Sequence, residues 1–325
     1  MTTAPPPLSP SWEQKVKQAQ EVNGEKLYIY TGGRAPRHIK YVTIHPSITI
    51  IPFRAFYSCE NLRYVEMHDG VVAIGKEAFK QCVSIQQILI TNVTTIAEGA
   101  FSCCYALMDV RESERLVKIG VQAFLDCNSL RTINLPLVTI IEASAFAGCT
   151  NMTEVNLGCI QTIEESALYY CISLKQLSFT VNDNDSDIVI HSDAFDCCHD
   201  LVSIELIGHV HEDIDSLGTE CWQDDMNKEI DRINQLLPNI HSSQKTTEIS
   251  QWIDSVRHKI KCYKLMESTS LLELALWKAA RLNIGIGEED DSGWEREWCR
   301  IYCGVEIVIP HVLSFITAVD NVKAL

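Results

Sequence analysis

His209-Val210-His211, followed by Glu212 and Asp213, would set two imidazoles on one side of an extended segment, as a zinc pair requires. No third ligand lies at a matching spacing, so the group reads as a polar loop leaving the last of a series of repeats. Asn182-Asp183-Asn184-Asp185-Ser186-Asp187 alternates oxygen donors as a calcium loop does. Counted from Asp183, however, an EF-hand needs glycine and glutamate where Ile188 and Ala194 stand, so a solvated surface insertion is expected. Cys299 and Cys303, with His311 downstream, have a spacing that suits helix packing better than zinc. Gly285-Ile286-Gly287 runs into Glu288-Glu289-Asp290-Asp291, which would repel a phosphate. No P-loop, nucleophile elbow or metalloprotease helix motif occurs. These residues give no catalytic, cofactor-binding or metal-binding set, and the expectation is a non-enzymatic protein without a cofactor.

The remaining chemistry-bearing residues are cysteines, and half of the 14 are periodic. Cys59, Cys82, Cys104, Cys127, Cys149, Cys171 and Cys198 each follow an Ala-Phe pair, with Leu168 replacing Phe in the sixth copy. Those pairs begin at Ala55, Ala78, Ala100, Ala123, Ala145, Ala167 and Ala194, spaced by 23, 22, 23, 22, 22 and 27 residues. Such a period belongs to a solenoid, whose repeats bury their apolar sides only against one another. The positioning elements keep the same phase. An isoleucine stands four residues before each Ala (Ile51, Ile74, Ile96, Ile119, Ile141, Ile163, Ile190), and an aliphatic residue six beyond each Cys (Val65, Ile88, Val110, Ile133, Val155, Leu177, Ile204). Alternation around the second series predicts one short strand per coil, with a second extended stretch and a tight Ala-Phe corner. Glu112 breaks the alternation in the third copy.

The unit I-G-x-x-A-F-x-x-C-x-x-L-x-x-I-x-L, best seen at Ile74–Phe79 and Ile119–Phe124, resembles the BspA-like, or TpLRR, class of leucine-rich repeat. The resemblance covers roughly residues 41–210. It implies a curved parallel-strand solenoid that binds other macromolecules, and its motif carries no catalytic residue.

Equivalent side chains on stacked coils lie about 4.8 Å apart and point the same way. Their sulfurs would stay about 5 Å apart against the ~2 Å of a disulfide, so the cysteine ladder is expected to be reduced packing. Cys103 and Cys197, adjacent to ladder members, read as surface positions. Met1–Pro10, with three consecutive prolines, does not read as a signal peptide, and no apolar run is long enough to span a bilayer. A cytoplasmic location follows as the expectation, unlike relatives of this repeat class at the cell surface. The sequons at Asn92 and Asn151 carry little weight without export.

Net charge is −16, divided as +3 over residues 1–40, −11 over 41–210 and −8 beyond. That balance argues against nucleic acid and acidic membranes and leaves protein partners of neutral or basic character.

The predicted organisation is a tail and short helix (1–26, the helix over 11–22), a hairpin-like N-terminal cap (27–50), the solenoid (51–210) and an α-helical module with an irregular tail (211–325). In that module, Met226, Ile230, Ile233 and Leu237 form one helical stripe, ended by Pro238-Asn239. Ile249, Ile253, Val256, Ile260 and Tyr263 form a second stripe, and Leu272, Leu276 and Ala279 a third, giving two or three packed helices. Capping the solenoid and driving oligomerisation are both open roles for them. The fold class is thus an α+β repeat protein of about seven coils.

Function is expected on the outward strand positions. One row is Tyr64, Gln87, Asp109, Thr132, Glu154, Gln176 and Ser203; the other is Glu66, Leu89, Arg111, Asn134, Asn156, Ser178 and Glu205. Six intervals of about 4.8 Å make a face ~29 Å long, polar and mixed in sign, which suits shape-specific protein contact. Readings from other classes are a self-assembling structural protein and a metal-dependent regulator. Phe56, near one end, is expected to contribute less stability than central Phe124 if that end frays.

Overall fold

The structure, a computed structural model, describes residues 21–22, 25–111, 114–180, 188–207 and 220–283, with side chains described for 27–111, 114–179, 188–206 and 224–263. The chain divides into two compact units, Met1–Arg257 and His258–Leu325. The first unit holds the solenoid and its caps.

Each coil contributes a strand to each of two walls. One wall is a seven-stranded parallel sheet of two-residue strands: Ile50–Ile51 (β4), Ala73–Ile74 (β6), Thr95–Ile96 (β8), Lys118–Ile119 (β10), Ile140–Ile141 (β12), Thr162–Ile163 (β14) and Val189–Ile190 (β16). The other comprises Tyr64–Glu66 (β5), Gln87–Leu89 (β7), Asp109–Arg111 (β9), Thr132–Leu135 (β11), Glu154–Leu157 (β13), Gln176–Thr180 (β15) and Ser203–Ile207 (β17). Of these, β7 to β17 form a six-stranded parallel sheet, and β5 pairs instead with the N-terminal strands. Burial follows the period: the isoleucine preceding each corner (Ile190 alone being half-buried), the Ala-Phe pair, the cysteine and the central strand aliphatic. Burial alternates along the longer strands, as in Thr132–Leu135, where Ile133 and Leu135 point inward.

The Ala-Phe corners form a third ladder. The Phe N–H of one coil donates to the Ala carbonyl of the next at 2.7–2.8 Å, from Phe56→Ala78 to Phe146→Ala167, and Leu168→Ala194 continues it at 2.9 Å. Turning this corner needs left-handed backbone, and most of those positions are not glycine: Arg54, Glu77, Gln122, Ser144 and Ser166 precede the Ala, and Ser58, Gln81, Cys103, Asp126, Tyr170 and Cys197 follow the Phe. Stacking neighbours over-determines a conformation that costs about 1 kcal/mol or more at each such residue. Glycine is obligatory at Gly158, where a Cβ would sit 1.7 Å from the Pro136 carbonyl oxygen.

The rings of Phe56, Phe79, Phe101, Phe124 and Phe146 stack nearly parallel with centroids 4.9–5.2 Å apart. That separation exceeds ring thickness, so the rings are offset, the favoured arrangement. Tyr30 covers the outer face of Phe56 at 4.6 Å, and Phe56 and Phe124 are both fully buried. That end is therefore covered at Phe56, and the two truncations are expected to cost alike.

The N-terminal segment is not hairpin-like. Glu25–Tyr30 (β2) pairs in parallel with Tyr41–Ile44 (β3), and β3 pairs in parallel with β5. Residues 34–44 form a further coil without the Ala-Phe-x-x-Cys signature: Ala35 N–H donates to Ala55 O (2.7 Å), as Phe56 does to Ala78. Glu21–Val22 (β1), at the end of the expected helix, is instead a strand antiparallel to β2.

At the other end stand Glu220–Leu236 (α1), a 3-10 turn at Leu237–Asn239, and Ser242–Asn283 (α2). The second and third predicted stripes thus lie on one continuous helix. Met226, Ile233, Leu237, Ile249, Trp252, Ile253 and Val256 are buried, and Trp252 Nε1–H donates to Glu229 O at 2.9 Å, tying α2 to α1. These helices close the solenoid through backbone groups that have no further coil to meet. Thr246 Oγ1 accepts from Phe195 N–H (3.0 Å), replacing the Ala carbonyl used elsewhere in the ladder. Asn234 pairs with the edge of β17, accepting from Ile204 N–H (2.7 Å) and donating to Ile204 O (3.2 Å). Lys245, only 2% exposed, donates to the carbonyls of Cys198, His199 and Leu201 at 2.7–3.0 Å. Burial pulls this ammonium below its ordinary pKa, yet its three protons match three acceptors.

Two stability outcomes follow. Phe124→Ala and Phe56→Ala each lower the unfolding free energy by ~3–5 kcal/mol in urea titration. Lys245→Met costs about 3 kcal/mol by leaving buried carbonyls unpaired, and the loss appears in the same measurement.

Candidate protein-binding face

The two outward rows are in register. Thr132, Asn134 and their inward neighbours pair with Glu154 and Asn156, which pair in turn with Gln176 and Ser178, and these with Ser203 and Glu205. Gln87 and Leu89 pair with Asp109 and Arg111, and Asp109 with Thr132. The rows also continue where the sequence pattern gave no sign of them. Tyr64 pairs with Tyr41 and Glu66 with Thr43 on β3, and Tyr41 and Thr43 pair in turn with Leu27 and Ile29 on β2.

Exposure is continuous over the centre of this face and is broken by buried positions on either side of it, with Leu27 and Ile29 half-buried beyond one and Glu205 exposed beyond the other. Tyr41 and Thr43 are buried at one end, and Ser178 at 6% exposure is buried near the other. Ser178 is therefore corrected from an exposed contact position to a buried one. Gln176 and Ser203 are half-buried, and Glu205 is exposed. Between the ends, Tyr64, Glu66, Gln87, Leu89, Arg111, Thr132, Asn134 and Glu154 are exposed, while Asp109 and Asn156 are half-buried.

Neighbouring side chains hold one another. Thr43 Oγ1–H donates to Glu66 at 2.9 Å, Arg111 pairs with Asp109, and Asn156 Nδ2–H donates to Asn134 Oδ1 at 2.7 Å. Burial, then the Glu66 carboxylate, raises the Tyr64 phenol above its ordinary value, keeping it a neutral donor and acceptor. Glu66, Asp109 and Glu154 against Arg111 leave the centre mildly acidic. Its groups can hydrogen-bond, pair one or two charges and cover the exposed Tyr64 and Leu89 side chains. They do not form a nucleophile and base set.

The cysteine ladder has a role beyond filling space. The thiols of Cys82, Cys104, Cys127, Cys149, Cys171 and Cys198 each donate to the carbonyl of the corner residue one coil back (Phe56, Phe79, Phe101, Phe124, Phe146, Leu168) at 3.1–3.3 Å. Burial pushes Cys59 up to about 11, against the pull of Arg34 and Arg37, and raises Cys82, Cys104, Cys127, Cys149 and Cys171 well above ordinary values. These thiols stay protonated and serve as buried donors. Cys103, Cys159, Cys197 and Cys262 are half-buried thiols outside the ladder.

His209, His211, residues 182–187, Gly285–Gly287, Cys299, Cys303 and His311 lie outside the described residues, as does Glu112. Among the described residues no three His, Cys, Asp or Glu side chains converge as a metal site, and no helix is long and apolar enough to cross a membrane.

The parallel coils, the Ala-Phe corners and the thiol ladder define a leucine-rich-repeat solenoid. The BspA type leucine rich repeat region matches residues 35–153 and 137–244 in 6 copies, and the chain belongs to that family. Its first matched residue, 35, falls at the coil that lacks the signature. The chain is similar to the Treponema pallidum leucine-rich repeat protein TpLRR at 24% identity and a TM-score of 0.45, over 54% of this chain and 82% of that one. It is also similar to a leucine rich cell surface protein of Faecalibacterium prausnitzii (23% identity, TM-score 0.36, covering 53% of this chain and 60% of that one). A leucine-rich repeat protein of Bacteroides ovatus aligns at 23% identity and a TM-score of 0.38, over 55% of this chain and 47% of that one. No curated protein matches the chain. Solenoids of this kind commonly mediate protein–protein interaction.

Brief alkylation at mildly alkaline pH, followed by peptide mass mapping, labels Cys103 and Cys197 ahead of Cys104, Cys127 and Cys149. Equal labelling would show that the ladder thiols are neither buried nor raised.

Proposed function

We propose that the protein is a non-enzymatic interaction scaffold whose partner docks on the central strand face, from Tyr64 and Glu66 to Glu154 and Asn156. The observation that carries this reading is the run of exposed, chemically varied side chains from Tyr64 to Glu154, flanked by buried Tyr41, Thr43 and Ser178. Hydrogen-bonded neighbours such as Asn134 and Asn156 hold their rotamers before a partner arrives, which reduces the ordering cost of binding. The site residues are those of the two rows, with Ser178 as support and Gln176, Ser203 and Glu205 at the margin. Thiols that remain free and protonated favour a reducing, cytoplasmic setting.

The partner is a protein of neutral or locally basic surface, facing the carboxylates of Glu66, Asp109 and Glu154. Nucleic acid and acidic membranes are poor fits to a face of this charge. Self-assembly through the C-terminal helices is the weaker reading, because α1 and the start of α2 spend their buried residues and polar groups on closing the solenoid.

The test compares wild type with Arg111→Ala/Asn134→Ala/Asn156→Ala in affinity enrichment with mass spectrometry. A protein retained by wild type and lost from the variant, with unfolding midpoints matched, is the expected result. An identical retained set from both would remove the strand face from consideration.

A further inference from the structure

The corner formed by the signature-less coil and the first regular one carries a charge opposite to the rest of the molecule. Arg34 lies with its guanidinium carbon 5.8 Å from the centroid of the Tyr57 ring, and Arg54 lies 5.0 Å from the same ring and 4.9 Å from Phe53. Arg37 stands on the same turn, and the charges of Arg34 and Arg37 both reach Cys59 beneath them. Phe53 is 58% exposed, and Arg34, Arg37 and Arg54 are exposed beside it.

Three other cations of the solenoid are paired, Lys76 with Glu98 and Lys118 with Glu142 one coil over and Lys80 with Glu77 within its own coil. Here only Arg54 is answered, by Glu77, which its guanidinium and Lys80 hold below the ordinary carboxylate range despite the opposing effect of burial. Arg34 and Arg37 make no ion pair among the described residues. Two guanidiniums sharing one aromatic ring repel each other, and the ring's negative face offsets that only in part. An anion between them would offset the remainder and could accept bidentate hydrogen bonds.

We infer that this corner, comprising Arg34, Arg37, Arg54, Tyr57 and Phe53, docks a short acidic peptide segment with an apolar side chain beside its carboxylates. The carboxylates would meet the guanidiniums and the apolar group would cover Phe53. A peptide is favoured over a polyanion by size. A short segment senses charge within a Debye length of about 8 Å, where the corner is basic. A nucleic acid or membrane surface would also meet the −11 of residues 41–210. This site is separate from the central strand face.

The experiment is fluorescence anisotropy on the full chain, using a labelled peptide of about four Asp-Leu-Glu repeats, a labelled single-stranded oligonucleotide of matched charge, and vesicles containing phosphatidylserine. Wild type is expected to bind the peptide, more weakly as salt rises, and in preference to the oligonucleotide and the vesicles. Arg34→Gln/Arg37→Gln is expected to bind it about tenfold more weakly. Arg34→Lys/Arg37→Lys, which keeps the charge but not the planar fork, is expected to fall between them. Each protein's unfolding midpoint is recorded, and Arg111→Ala/Asn134→Ala/Asn156→Ala should bind the peptide as wild type does. The inference is overturned if the peptide does not bind wild type at low salt, if the Gln variant binds equally, or if the oligonucleotide or vesicles bind more tightly.

Discussion

Hydrogen bonding between adjacent coils fixes a rise of about 4.8 Å, and whatever occupies one position must tolerate its equivalent at that distance. Most of the molecule's chemistry follows from this. Aromatic rings tolerate it by offset stacking, which the Phe56 to Phe146 column shows. Thiols tolerate it because each has a carbonyl to donate to one coil back, so the column is a set of hydrogen bonds rather than of disulfides. Charges meet it either by opposition, as Arg54 against Glu77 and Lys76 against Glu98, or by backbone hydrogen bonds, as the stacked carboxylates Glu142 and Glu164 accept from the N–H groups of Val121 and Ala143 one coil back. Asn92 and Asn151 follow the same rule, each donating to a backbone carbonyl of the preceding coil (Asp69 and Asn128).

The same rise creates a problem at each end, because a terminal coil presents unpaired backbone and bare apolar surface. The N-terminal solution imitates a coil: Ala35 continues the corner ladder and Tyr30 continues the aromatic column. The C-terminal solution is made of side chains, with Thr246, Asn234 and Lys245 supplying the donors and acceptors that an eighth regular coil would bring. Lysine suits that place despite the cost of burying its charge, since its flexible stem delivers three donors to carbonyls that face different directions.

The repeats were legible because every coil faces the same packing problem and answers it with the same residue types. The ends were not, since each is solved once. Ala35 stands where a Phe would be expected and no cysteine follows it, so no period marks that coil. Lys245 and Thr246 meet partners 44 to 51 residues away, a distance at which helical periodicity is silent. Trp252 was missed for a related reason: the stripe beginning at Ile249 passes through Ile253 and Val256, and Trp252 lies beside it. The strand rows were readable from alternation, but exposure along them was not. Alternation says which way Ser178 points and nothing about what closes over that end of the sheet.

A ladder is rigid because each rung is held from both sides, and that bears on what such a surface can recognise. Varying the outward residues changes chemistry without moving the backbone that presents it, so Tyr64, Arg111 and Asn134 sit on a frame set by residues facing the other way. A partner therefore meets fixed positions, and the ordering cost of association falls mainly on its own side. The corner at Tyr57 is built differently, from guanidiniums on flexible stems against aromatic rings. Its contribution would lie more in attraction and rate than in shape. A chain with a preorganised, mildly acidic face and a basic, adaptable corner can discriminate between partners by two unrelated criteria. Partners that satisfy both gain from the second contact as an intramolecular event, without either site being strong alone.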